Sequence, residues 1–436
     1  MKKTIKLAVV AALALGATSV FATNGANMIG FSAKSRALGG TGIANFNGAD
    51  AALTNPSLLA KTKSKSSFAF AGTMFSSDVK VETTDGMPAR SGTGVSRTSD
   101  EGMAMIPAIA LSHRISDTLV FGLGMYGTGG MGTDWRAGDT PSTGNIGLYN
   151  MRSSLMLMQF APSLAYGNET FGIGLTGIIQ YGALSVDYDS VQHVDPMDPN
   201  SQAMNNHIGN GVSNDFGFGF QIGAYYNPME TLTIGATYKS AIDMEYKDQI
   251  SKAAGAFGYG MNPNGGMAAY SDHLEQPAEI GLGIAFDMGA MTYTADVKQI
   301  QWSDAKGYGD FGWDDQTVYA LGIKYTADSF WVGGGFNYGE NPVQDNKSTE
   351  NVTGGMANNL DGDTMNLFNY AMFPGTVEST LTLGGGYSVS QNMSVDMAFT
   401  YSLEASDTVS ATTVGVGDVT TKHSQNALTV ALNFDF

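Results

Sequence analysis

Residues 427–436 read ALTVALNFDF. Successive side chains of a strand point to opposite faces. Leu428, Val430, Leu432, Phe434 and Phe436 therefore share one face, and Ala427, Thr429, Ala431, Asn433 and Asp435 share the other. Left as the open edge of a sheet, a strand this apolar would recruit other chains. Paired with the first strand of its own sheet, it leaves no edge. The stretch predicts a closed sheet, and in lipid closure is obligatory because every backbone N–H and C=O needs a partner.

The same period of two runs back through the chain to Lys65. Leu119, Phe121, Leu123 and Met125 alternate with Val120, Gly122, Gly124 and Tyr126. Ile280, Leu282, Ile284 and Phe286 alternate with Glu279, Gly281, Gly283 and Ala285. Fourteen strands are expected, at 65–83, 103–115, 118–131, 152–167, 170–188, 214–227, 230–248, 274–287, 290–303, 314–326, 329–340, 376–389, 391–404 and 421–436. Short turns such as Ser116-Asp117 and Ala327-Asp328 alternate with long loops at 84–102, 132–151, 189–213, 249–273, 304–313, 341–375 and 405–420. An even strand number with this alternation is the pattern of an outer-membrane barrel, turns in the periplasm and loops outside. A soluble sandwich would carry long charged side chains on its second face. Here that face is Gly, Thr and scattered charge, so the expected fold class is all-β, a transmembrane antiparallel β-barrel.

Residues 1–22 read as a cleavable export signal: Lys2, Lys3 and Lys6, the apolar run Leu7 to Leu15, then Val20-Phe21-Ala22. That run is too short to span a bilayer as a helix. Removing the three signal lysines leaves 19 basic and 40 acidic residues, a formal charge of −21. Such a surface repels nucleic acid, which is excluded as a partner. The absence of cysteine excludes disulfides, thiol catalysis and Cys-based metal sites. Disordered acidic chains lack aromatics, whereas this one has 22 Phe, 19 Tyr and 4 Trp.

Between signal and first strand, Asn24 to Ser57 reads NGANMIGFSAKSRALGGTGIANFNGADAALTNPS. It shows neither sustained alternation nor a helix-length apolar face. Gly39-Gly40-Thr41-Gly42-Ile43-Ala44, then Asp50-Ala51 and Asn55-Pro56-Ser57, resembles the N-terminal hatch of the FadL family, outer-membrane channels for fatty acids and other hydrophobic compounds. The family usually has Asn-Pro-Ala, and Ser57 stands in the third place here. The resemblance implies a plug over 23–60, inside a barrel built by 61–436, with Gly39, Gly40, Gly42, Asn55 and Pro56 as its motif. It also implies that the third strand kinks inward and leaves a lateral gap, placed at Gly127, Gly129, Gly130 and Gly132. It further implies a ligand-capturing groove on loops 189–213 and 249–273, where Met197, Met204, Ile208, Ile250, Phe257, Tyr259, Met261 and Met267 lie. A closing strand ending in Phe434 and Phe436 is similar to the signal read by the barrel-assembly machinery.

Other chemistry is sparse. Gly127 to Gly132 matches G-x-G-x-x-G, but Thr133-Asp134-Trp135-Arg136 opens no helix, as nucleotide binding requires. Glycines at a strand end fit a bulge or bend better. His113, His193, His207, His273 and His423 follow no standard metal spacing, and no G-x-S-x-G elbow occurs. No catalytic residue, metal or cofactor is expected, and the chain is read as not an enzyme. Lys34 and Arg36 either pair with inward acids such as Asp296, Glu279, Asp396 and Asp435 or face lumen water. The expected partners are a hydrophobic small molecule, outer-membrane lipid and lipopolysaccharide, and the assembly machinery; a monomer is expected. The expected function is passive uptake of hydrophobic small molecules, long-chain fatty acids or hydrocarbons. The alternatives are an adhesive barrel with acidic loops, or an aqueous porin, against which a plug argues.

Overall fold

A computed structural model describes residues 24–85, 94–136, 148, 150–193, 203–257, 270–346, 362–412 and 416–436. Fourteen strands build the wall: β1 Ser66–Thr83, β2 Met103–Arg114, β3 Leu119–Asp134, β4 Arg152–Gly167, β5 Phe171–His193, β6 Ser213–Met229, β7 Leu232–Lys239, β8 Glu279–Met288, β9 Met291–Ile300, β10 Gln316–Thr326, β11 Phe330–Gly339, β12 Ser379–Ser390, β13 Met393–Ala411 and β14 Gly417–Asp435. Each pairs antiparallel with its predecessor, and β14 returns to β1 with Phe68 opposite Phe434 and Gly72 opposite Val430. Ser66 and Phe436 exchange both backbone bonds, at 2.8 and 3.1 Å, so the seam zips to the last residue. Two short strands stand outside this ring: Ser96–Thr98 beside β1, and Ala203–Ile208 beside the upper end of β5.

The wall is inverted relative to a soluble protein. Ile173, Leu175, Phe218, Leu282, Leu321, Leu383 and Phe399 are exposed on its outer face, the face that lipid covers. The buried inner face is polar: Gln159 and Gln180 pair at 2.7 Å, Ser163 meets Thr176 at 2.7 Å, and Thr380 meets Ser402 at 2.8 Å. Many inward polar groups are matched across the ladder in this way.

Several strand ends differ from the expected spans. β7 stops at Lys239 instead of reaching 248, although Ile242, Met244 and Tyr246 continue the alternation. Those three are fully buried, and their stretch makes only isolated bridges, Ile242 with Gln276 and Glu245 with His273. They pack over Gly182, Gly217 and Gly219 instead of facing lipid. β13 and β14 run longer than expected, because their pairing continues to Ala411 opposite Gly417. β5 continues to His193 because Ala203–Ile208 supplies it with a partner strand.

Candidate functional site

Residues Asn24–Lys61 form a folded block in the lumen. It carries two short helices, α1 Ala33–Ala37 and α2 Ala51–Thr54, and a 3₁₀ turn, Pro56–Lys61. The block touches strands on every side of the ring. Gly39 and Gly40 have φ of +70° and +89°, a left-handed turn that glycine adopts without penalty. A Cβ on Gly40 would lie 1.8 Å from the Ile29 carbonyl oxygen, and one on Gly39 would lie 2.5 Å from that of Phe336. The turn aims its amides at the wall. Gly42 and Ile43 N–H donate to Asp296 Oδ2 at 2.8 and 3.0 Å, and Gly39 N–H donates to Thr382 Oγ1 at 2.9 Å. The Asn337 amide returns a bond to Gly39 O at 2.9 Å. Asn55 caps the 3₁₀ turn through Ser57 N–H at 3.1 Å and donates to Ile43 O and Ala224 O at 2.6 and 3.1 Å. Ser57 adds its hydroxyl to Asn55 Oδ1 at 2.6 Å, a bond that the family's usual alanine lacks.

Lys34 and Arg36 have separate fates. Lys34 pairs with Asp396 at 3.6 Å. Arg36 is buried and donates to Gly30 O at 3.0 Å, with Met28 Sδ 3.3 Å away, and burial pushes its pKa down to about 10. Glu279 instead joins Lys239 at 3.2 Å and Lys298 at 3.6 Å. Asp435 reaches neither cation: it sits at the exposed rim and accepts from Ser64 and Ser67 at 3.0 and 2.6 Å. Asp50 is buried in the plug, and desolvation raises its pKa, an effect opposed by the Ser32 hydroxyl and the nearby Lys34.

The third strand leaves the ring where the glycines lie. β2 and β3 pair from Arg114–Val120 to Ala108–Tyr126, and there the ladder ends. β3 stays paired with β4 to Asp134, through a bulge at Thr128, and β2 stays paired with β1 to Met103. Burial alternates along β3 up to Tyr126; from Tyr126 to Thr133 every residue is buried. Asp100 N–H donates to Asp134 O at 2.9 Å and closes the upper end of the split. On the lumen side the plug pairs with the released strand: Met28 N–H donates to Thr128 O at 3.2 Å, Gly130 N–H donates to Ala26 O at 3.1 Å, and Asn27 lies opposite Gly129. Gly127 and Gly129 keep negative φ, so they serve space and not handedness. A Cβ would lie 2.5 Å from Ile106 Cγ2 at the first and 2.4 Å from Ala26 O at the second. Gly130 and Gly132 face Met156 and Ser154 of β4.

Beside the split is a lumen cavity of about 60 Å³. The plug contributes Met28, Ile29, Phe31, Ile43 and Leu53; the wall contributes Gln221, Thr237, Lys239, Glu279, Asp296, Lys298, Val318 and Asn337. Above it, a helix that the sequence pattern did not reveal, α4 Gly362–Met372, lies wholly buried. Its Ala371 carbonyl accepts from Thr133 Oγ1 and Trp135 Nε1, both at 2.7 Å, which ties the upper end of β3 to this helix. Trp302, Tyr308, Phe311 and Trp313 pack beside it, and Trp302 and Trp313 lie against Gly25 of the plug.

The expected groove is described only in part. Met197, Tyr259, Met261 and Met267 lie outside the described residues. The backbone of Met204 is opposite Gln192, and Phe257 ends α3, Ile250–Phe257. Ile208 is partly buried. Ile250 is 1% exposed and packs in the loop core with Ala253, whose carbonyl accepts from Tyr188 OH at 2.6 Å. Ile250 therefore offers no open surface here.

Residues 8–355 match the family of outer membrane protein transport proteins (OMPP1/FadL/TodX). The chain belongs to this family. It is an outer-membrane β-barrel of the FadL/TodX kind, and the family and its solved structures are transport channels. The Pseudomonas putida toluene transporter TodX superposes with a TM-score of 0.66 at 16% identity, over 93% of this chain and 99% of TodX. A Pseudomonas aeruginosa FadL homologue gives 0.66 at 17%, over 97% and 100%. The Ralstonia pickettii toluene transporter TbuX gives 0.60 at 18%, over 93% and 98%. At these identities the structures show the fold. A curated relative from Chlorobium limicola, an uncharacterized protein in the phosphoenolpyruvate carboxykinase gene 5' region, is 48% identical over 59 residues. The chain spans 29% of that relative's length and is matched over 14% of its own.

Proposed function

We propose that this FadL/TodX-family barrel carries hydrophobic small molecules passively through the outer membrane, with capture by the loops, residence in the lumen cavity and exit sideways between β2 and β3. The observation behind the exit is the ladder break after Tyr126, with plug residues Ala26–Met28 paired across it. Exit follows when those residues unpair. The molecule then enters lipid without crossing water, which avoids about 25 cal/mol per Å² of apolar area exposed. An open aqueous pore fits poorly with a lumen filled by Asn24–Lys61.

The natural chain has no cysteine, so a reversible lock can be built cleanly. Met28 and Thr128 lie opposite each other, and opposed antiparallel residues have Cα atoms roughly 4.5–5.5 Å apart, within disulfide range. In the double variant Met28→Cys, Thr128→Cys, oxidation should stop uptake of a hydrophobic probe and reduction should restore it. Wild-type uptake by protein shown to be fully crosslinked would rule out this exit.

A further inference from the structure

We infer that an apolar stopper made by Met28 of the plug, Ile106 of β2 and Met156 of β4 fills the split beside β3 and selects cargo by width, so that a slim hydrophobic molecule leaves faster than a broad isomer of it. This selection rests on the sideways exit proposed above and names the side chains that perform it.

The first ground is a contact that an intact wall forbids. Successive side chains of a strand face opposite sides of the sheet. On β2, Ala104 and Ile106 are buried on the lumen side and alternate with Met103 and Met105, which are exposed on the lipid side. On β4, Met156 has the parity of Phe160, Leu164 and Tyr166, which are also exposed on the lipid side. Ile106 and Met156 thus belong to opposite faces of the wall. Yet Met156 packs against the buried apolar cluster of Met28, Phe75, Ala104, Ile106 and Ala427. With β3 in line between β2 and β4, its backbone would keep the two faces apart. The contact forms because β3 has parted from β2 after Tyr126 and is bare at this level. Gly130 lies opposite Met156, and a Cβ on Gly127 would stand 2.5 Å from Ile106 Cγ2. The cluster therefore runs through the wall.

The second ground is the inner end of this line. Met28 and Thr128 also line the lumen cavity. Met28 thus has the cavity on one side and the through-wall cluster on the other. Arg36 keeps it seated, donating to Gly30 O at 3.0 Å with its guanidinium 3.3 Å from Met28 Sδ. Composition then sets what passes. A Met side chain is unbranched and adapts without moving its backbone. A β-branched Ile is stiff at χ1. Two sides of the stopper yield and the third does not. A slim molecule needs only the two thioethers to swing aside, whereas one that is broad in every direction must also move the backbone of β2.

n-Propylbenzene and mesitylene are isomers, the first slim and the second broad. Uptake of each would be measured in intact cells with and without the protein, and binding of each to the full barrel in nanodiscs against empty discs. Wild type should take up n-propylbenzene severalfold faster than mesitylene. Met156→Ala and Ile106→Ala should each raise mesitylene uptake severalfold and narrow that ratio. Met156 is not among the described residues that line the cavity, so Met156→Ala should bind both isomers as wild type does. A purely structural role would not shift the uptake ratio while sparing binding. Heat-modifiable mobility shows whether each variant is folded, and the wild-type ranking decides where neither is. Equal protein-dependent uptake of the two isomers by wild type, or a wild-type ratio in either folded variant, would overturn the inference. The Met28→Cys, Thr128→Cys crosslink tests the exit separately. If oxidation stops uptake but the isomers are treated alike, the exit stands without this stopper; if uptake ignores the crosslink, both fall.

Discussion

Asp296 is the wall residue on which the plug hangs most directly, and Asp296→Ala tests that. The carboxylate accepts from two consecutive plug amides, at 2.8 and 3.0 Å, and is 8% exposed. Hydrogen bonds to a charged acceptor are worth about 1.5–3 kcal/mol each. Taking the low end for both gives ~3 kcal/mol, or roughly two orders of magnitude in the balance between docked and undocked plug. Alanine also leaves the Gly42 and Ile43 N–H groups without an acceptor. Asp296→Asn keeps one neutral acceptor and should lie between wild type and alanine. The fourteen-strand ladder does not depend on this side chain, so outer-membrane abundance and heat-modifiability should hold. Undocking should expose the plug to trypsin at Lys34 and Arg36, and single-channel recordings should show more frequent openings. A folded Asp296→Ala barrel whose plug is as protected and as quiet as wild type would refute the reasoning, and would mean that Thr382, Asn337 and Asn55 hold the plug without it.

Two further outcomes follow from the seam and the buried plug acid. Deleting Phe436 removes both backbone bonds to Ser66 and shortens the apolar face that closes the ring, so the heat-modifiable fraction in outer membranes should fall; unchanged folding would show that the last residue is dispensable. Asp50 has a raised pKa in the folded plug, so the folded state holds its proton more tightly than the unfolded state, and docking should strengthen as pH falls through the folded value towards the ordinary carboxylate value of 3.8. Protease protection of the plug between pH 7 and 4 should therefore rise, and Asp50→Asn should flatten that dependence; an unchanged slope in the variant would point to another group.

The wall was legible because lipid imposes a period of two on every strand, and the ring order followed from the turn lengths. Pattern reading failed where alternation served another purpose. Ile242, Met244 and Tyr246 alternate like a strand, yet they bury against glycines of β5 and β6 after β7 has ended. The helix α4 was missed for another reason: it is one short element inside a long loop, and its polar residues Asp363, Asn366 and Asn369 are buried with its apolar ones, Asn366 and Asn369 bonding to neighbouring loops and strand ends instead of facing water. The plug cations show a third limit. Composition suggested ion pairs, but which acid sits opposite Lys34, and that Arg36 is held by a carbonyl, depend on contacts more than 300 residues apart in one case and six in the other. At Gly129 and Gly130 the resemblance implied an opening. The Ala26 carbonyl already stands where a Cβ on Gly129 would go, so Gly129→Val would push against the plug before it blocked a passage.

The way the plug is tied to the ring has a consequence for the order of biogenesis. The block leads through the turn Pro56–Lys61 almost directly into β1, and β1 is one lip of the seam that β14 closes. It meets the wall at Gly174, Gly223, Gly235, Gly322 and Gly335, on strands far apart around the ring. A finished cylinder leaves no room to carry a folded, multiply anchored block past those contacts. The N-terminal segment must therefore be inside before the final strand pair zips, and the nascent sheet curls around a guest that is already part of the same chain.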